Sequence, residues 1–213
     1  MTKRVLLLAV SCKAGGLCPG GLDLDDPSRW IRIVRDDGQA SAVHGVDIDF
    51  AKPLDIIEFE GTPKPQGKQI ENWVIDGRSC TKTKSYSPNQ TNEVLEWAYK
   101  EYAYNGFWRN YRPFLNEEEF NAVRAPSESI MRVSGVHIRE NQSGKCKIDF
   151  DWHKARYRIK GVSMTDPDYF GKCPTDIDKA YIVIAIPKDI DDWTNPRTGE
   201  KQAYKFVSKI YEI

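Results

Sequence analysis

The stretch Ile130-Met131-Arg132-Val133-Ser134-Gly135-Val136-His137-Ile138-Arg139, then Asn141-Gln142-Ser143-Gly144, then Cys146-Lys147-Ile148-Asp149-Phe150-Asp151-Trp152, reads as a β-hairpin. Apolar side chains recur about every second residue in both arms, the period at which a strand turns one face to a core. A turn running from Asn to Gly between such arms is a strong local hairpin signal. Outward from the hairpin, residues 155–163, 181–187 and 203–213 supply three more strands. Thr165-Asp166-Pro167-Asp168 and Asn195-Pro196-Arg197-Thr198-Gly199 supply the loops between them.

Toward the N-terminus the same period marks strands over 4–12, 30–35, 55–60 and 69–76, separated by Gly-, Pro- and Asp-rich loops at 14–21 and 62–67. Between the two β regions the period changes. After Ser87-Pro88-Asn89, Glu93 to Lys100 has helical spacing with Asn92 or Thr91 as N-cap, and Asn116 followed by Glu117, Glu118 and Glu119 begins a second short helix that stops before Pro126. Short strands without βαβ alternation predict barrels or sandwiches rather than a parallel sheet. The expected chain is mainly β: an N-terminal β lobe over 1–88, a helical connector over 89–126 and a C-terminal OB-like β-barrel lobe over 127–213.

Thirty-one basic residues balance thirty-one acidic ones, so bulk cationic attraction gives no argument for nucleic acid and any binding face must come from local charge segregation. The apolar run Val5 to Val10 after Lys3-Arg4 is shorter than a signal h-region or a membrane span. It reads as a buried strand of a cytoplasmic protein with no membrane association. Five dispersed cysteines, Cys12, Cys18, Cys80, Cys146 and Cys173, suit reduced thiols rather than a disulfide framework. No C-x-x-C pair is present and His44, His137 and His153 are scattered, so neither a metal nor another cofactor is expected.

Ser11-Cys12-Lys13-Ala14-Gly15-Gly16-Leu17-Cys18-Pro19-Gly20-Gly21 places four glycines, a lysine and two thiols together. Such a loop lets backbone N–H groups approach a phosphate, with Lys13 neutralising charge; equally, it is a tightly turning barrel loop. Ser11 and Lys13 also form a nucleophile-and-base spacing, which residues two apart on a strand share for many other reasons. A second feature spans Arg139 to Gly161: Arg139, Lys145, Lys147, Lys154, Arg156, Arg158 and Lys160 against Glu140, Asp149 and Asp151, a net of about +4. Phe150, Trp152 and Tyr157 are interleaved, so the segment is either a nucleic-acid face of cations and stacking rings or a core lined by aromatics under a solvated outer face. Between Asp23 and Glu60, by contrast, ten acids face four bases, which repels a phosphate backbone.

Arg4 to Lys13 with Cys18 and Gly20, Trp30-Ile31-Arg32, Ser163-Met164-Thr165-Asp166-Pro167 and the closing Tyr204 to Ile210 together resemble the bacterial dual-OB-containing domain proteins over nearly the whole chain. The resemblance implies tandem OB folds binding nucleic acid or a nucleotide, in a defence or mobile-element setting, with Ser11, Lys13, Cys18, Gly20, Trp30, Arg32, Thr165 and Asp166 as motif positions. On that view Lys13 and Arg32 grip phosphate, Trp30 stacks or packs, and Asp166 either joins the site or caps the turn before Pro167. The first lobe would supply a phosphate-sized pocket. The second would supply an extended face through Lys147, Trp152, Lys154, Arg156, Arg158 and Lys160. Two other readings stand beside a non-catalytic binding module for single-stranded nucleic acid or a nucleotide. One is a protein–protein adaptor, suggested by balanced charge and the aromatics from Tyr99 to Tyr111; the other is a nucleotide-processing enzyme using Ser11, Lys13 or Cys18.

Overall fold

The computed structural model describes the chain except residues 14–15, 27–28, 35–47, 49, 103–110, 125, 191–193 and 197, and gives backbone alone at 12–13, 16, 77–79 and 102. It forms two compact units, Met1–Tyr102 and Ala103–Ile213.

In the first unit, β1 (Thr2–Lys13), β2 (Gly16–Asp23), β3 (Trp30–Val34), β4 (Asp55–Pro63) and β5 (Asn72–Ser85) close a barrel in the order β1-β2-β3-β5-β4. Neighbouring strands are antiparallel except β3 and β5, which run parallel through Arg32, Ile33 and Val34 against Asn72, Trp73 and Val74. Alternate residues Val5, Leu7, Ile31, Ile33, Ile57 and Phe59 fill the interior, as strand periodicity requires. A 3-10 turn, Pro88–Gln90, leads into helix α1 (Thr91–Tyr102), whose Val94, Leu95 and Ala98 are buried. The cap lies upstream of Thr91 and Asn92: Ser87 donates its backbone N–H and its hydroxyl to Gln90 Oε1, at 3.2 and 3.0 Å.

The second unit repeats the barrel. After β6 (Phe114–Leu115) and α2 (Glu117–Asn121) come β7 (Glu128–Glu140), β8 (Cys146–Asp151), β9 (Ile159–Met164), β10 (Thr175–Ala185), β11 (Ala203–Tyr204) and β12 (Phe206–Glu212). Five of them close in the order β10-β12-β9-β8-β7, while β6 and β11 pair separately. Again one neighbouring pair, β9 and β12, is parallel. In the β7–β8 turn the Asn141 side chain accepts from the backbone N–H groups of Ser143 and Lys145, at 3.0 and 2.9 Å, and Gly144 takes a φ of 72°. Asn116 caps α2 by accepting from Glu119 N at 2.9 Å, and the Glu119 carboxylate accepts from Asn116 N at 3.0 Å.

Two expectations change. Residues 16–21 are strand β2, not loop: Gly20 and Gly21 pair with Ala9 and Leu7. A Cβ on Gly21 would lie 2.8 Å from the Leu6 carbonyl carbon and nearer still to its oxygen, so here glycine permits close packing of two strands. Residues 155–158 are not strand: Ala155 N donates to Trp152 O at 2.8 Å, a turn that removes Arg156 and Arg158 from the ladder until β9 starts at Ile159. Arg156, Arg158 and Lys160 therefore do not share one face of a strand. β5 and β10 also extend beyond their apolar runs. Residues 81–85 are exposed and 176, 178 and 179 likewise, so ladder hydrogen bonds hold these ends where hydropathy carries no signal.

Replacing Gly21 with Ala should push β2 from β1, costing roughly 1–3 kcal/mol, the range for overpacking. Chemical denaturation checks this, with Gly144→Ala as a comparison: its Cβ would meet nothing within 4 Å, leaving only the positive-φ strain.

Candidate nucleic-acid interface

The resemblance motif falls largely inside the barrels. Ser11 and Cys18 face each other across β1 and β2, and both are buried. Trp30 is buried opposite Leu22. Arg32 is also buried: its Nε lies 3.5 Å from Glu71 Oε1, and its backbone N–H donates to Glu71 O at 2.9 Å. The Lys13 side chain lies outside what is described.

In the second unit Asp166 is fully buried directly after β9. Its Oδ2 accepts from the Ile210 backbone N–H at 2.8 Å, its Oδ1 from that of Asp168 at 3.1 Å, and both oxygens lie 3.2 Å from Lys209 Nζ. Thr165 donates its backbone N–H to Val207 O at 2.8 Å. Three donors thus converge on a group that, ionised, only accepts. Burial pushes the Asp166 carboxyl up, and Lys209 with the two backbone N–H groups opposes that push. Lys209 also contacts Asp168 at the surface. Asp166 therefore caps the 3-10 turn Pro167–Tyr169 and fastens β12 to the end of β9. Glu71 and Lys209 are the partners of Arg32 and Asp166; Lys209 is marked in the sequence as a charge inside the apolar run of β12, whereas Glu71, just before β5, carries no such signal.

Lys205, in the closing motif, has no exposed surface. Its Nζ donates to Arg112 O at 3.0 Å, and Arg112 in turn pairs with Glu119 at 2.7 Å. Burial lowers the Lys205 amine to about 7, against the pull of Glu119.

The basic segment divides. Phe150 and Trp152 belong to the core, which removes Trp152 as a stacking ring. Arg158 donates to Asp151 Oδ2 and to Gly135 O, both at 2.6 Å, and Arg139 reaches Asp149 at 3.4 Å. Lys154, Arg156 and Lys160 are exposed and make no ion pair among the described residues. Arg156 lies 5.5 Å from the centre of the Tyr157 ring, which packs edge-on to Tyr111 at 5.2 Å, and both tyrosines are more than half exposed. Tyr111 is a further surface residue that the sequence reading assigned only to an adaptor face. Lys147 donates to Ser163 Oγ at 2.8 Å; burial, then Lys145 and Arg139, lower its ammonium, so three cations share one end of β8. A groove elsewhere on the unit, bordered by Glu117, Glu118, Glu200 and Lys201, has the wrong sign for phosphate.

These two closed five-stranded barrels define a tandem OB-fold protein. The dual OB-containing domain model matches residues 3–210, and the chain belongs to that family. No curated protein matches the chain. Among solved structures, the crystal structure of the tetrameric p202 HIN2 is similar at 9% identity, covering 100% of this chain and 92% of that one, with a TM-score of 0.37. Among the described residues no helix is long and apolar enough to cross a membrane.

Replacing Asp166 with Asn leaves Lys209 buried with only Asp168 as a carboxylate. The expected loss is about 3 kcal/mol, the low end for breaking a buried pair, and Asp166→Asn/Lys209→Met should recover part of it. Urea unfolding of the three proteins checks this. For Lys205 the folded amine titrates near 7 and the unfolded one near ~10.4, so the folded state binds fewer protons between those values. Stability should rise with pH across that window by up to about 1.4 kcal/mol per unit. The burial cost is fully present below it. Lys205→Met should flatten the profile, as thermal melts from pH 6 upward would show.

Proposed function

We propose that this protein is a non-catalytic module for single-stranded nucleic acid and that its contact face lies on the second barrel around the β8–β9 connection. The observation that carries the reading is the exposed Tyr111–Tyr157 pair with Arg156 against one ring and Lys154 and Lys160 nearby in sequence. Exposed rings offer π faces to bases while adjacent cations meet the backbone, a combination that tolerates many sequences. The second and third strands of an OB barrel are its customary ligand face, and here these are β8 and β9. Arg139, Lys145 and Lys147 extend the cationic surface; burial lowers the Lys147 ammonium first, and an incoming phosphate would relieve the smaller part that comes from Lys145 and Arg139. Arg158, held by Asp151 and Gly135, shapes this face rather than contacting the ligand.

The burial of Ser11, Cys18, Trp30 and Arg32 supports a structural part for these motif positions, and it speaks against a nucleotide-processing centre built on Ser11 and Cys18. The setting we infer is bacterial and cytoplasmic, in defence or mobile-element biology.

Fluorescence anisotropy with labelled single-stranded oligonucleotides over a salt series tests the reading. Tyr157→Ala should weaken binding by about 1–3 kcal/mol, the scale of one stacked base. Lys154→Ala/Arg156→Ala/Lys160→Ala should reduce the slope of log K against log salt by about 0.7 per lost phosphate contact. Absence of binding at low salt would sink the proposal.

A further inference from the structure

One rim of the second barrel gathers three groups of metal-ligating chemistry. Glu140 ends β7 and pairs in register with Cys146, the first residue of β8, while Cys173 lies two residues before β10 begins at Thr175. Because β7 lies between β8 and β10 in the barrel, two neighbouring strands and the segment leading into a third bring the residues together. Their sulfur and carboxylate atoms all lie within 4.8 Å of one another, and the two sulfurs are 3.7 Å apart. Both cysteines are free and half-buried, and Glu140 is exposed at the mouth of the cluster.

We propose that Cys146, Cys173 and Glu140 form a site for a thiophilic divalent metal ion of the zinc class. Zinc–thiolate bonds of about 2.3 Å at a tetrahedral angle set two sulfurs about 3.8 Å apart. The sulfurs therefore already stand at the spacing that a shared ion requires. A disulfide would instead require them to close to about 2.05 Å. Two thiolates and a carboxylate supply three ligands, and water completes the fourth position toward solvent. On uptake each thiol releases its proton to solvent, a metal–sulfur bond forms in place of each S–H, and no electrons are exchanged. Lys145 and Lys147, on either side of Cys146 in sequence, offset the excess negative charge. The ion would tie β8 and β10 to the β7 strand between them, fixing the β7–β8 turn beside the cationic end of β8. The site stands independently of nucleic-acid binding.

Cobalt(II) titration of the reduced full-length protein, followed by competition with zinc, tests it. Thiolate-to-cobalt charge-transfer absorption should appear, saturate at one ion per chain and disappear on adding zinc. Cys146→Ser and Cys173→Ser should each abolish the absorption. Glu140→Gln should weaken binding on the order of ten- to a hundredfold, the scale known for disturbing a metal's ligand environment. Cys80→Ala, in the other unit, should leave the spectrum unchanged, and circular dichroism would report whether each variant is folded. A thiol count with and without zinc should differ by two. No thiolate band with the folded protein, a band that survives in folded Cys173→Ser, or a Cys146–Cys173 disulfide under air in place of metal uptake would each overturn the proposal.

Discussion

A closed barrel with an odd number of strands cannot be antiparallel throughout, because strand direction cannot alternate around an odd ring. Each five-stranded barrel therefore carries one parallel seam, β3 with β5 in the first unit and β9 with β12 in the second. Both seams are short, with three and two residues in register. Short parallel pairing gives few ladder hydrogen bonds, so side chains must help to close it. A buried ion pair sits at each: Arg32 of β3 with Glu71 at the entry to β5, and Asp166 at the exit of β9 with Lys209 of β12. The polarity is reversed between the units, but the placement is alike. In the second seam Asp166 also accepts the Ile210 backbone N–H, so a carboxylate stands where a further strand residue would otherwise accept.

Residues held at the seams maintain the fold, and a different set faces solvent. Trp30, Arg32, Thr165 and Asp166 are held by neighbours within their own barrels and serve closure. The exposed chemistry of the second unit lies instead at the turn between β8 and β9, where Tyr157 and Arg156 leave the ladder because Ala155 turns back on Trp152. Arg158 and Arg139 keep part of their surface in solvent and are held in direction by Asp151 and Asp149. The acids that dilute the basic segment in sequence hold particular arginines in place, while Lys154, Arg156 and Lys160 are exposed.

The alternation of Ile130–Arg139 and Cys146–Trp152, the Asn141–Gly144 turn and the Asn116 cap are local patterns, and they determined the β hairpins, α2 and the mainly β architecture from sequence alone. The motif positions gave the tandem OB family. Strand β2 was hidden because its glycines look like loop until β1 is seen packed against it; the constraint is a contact with Leu6, fifteen residues away in the chain. The same holds for the groups that matter chemically. Glu71, Lys209 and Tyr111 gain their meaning from partners, and Cys146 and Cys173, 27 residues apart, meet only because β7 stands between their strands. Periodicity records which face of a strand is buried, but which strands are neighbours, and hence which charges pair and which thiols meet, is set by closure of the barrel.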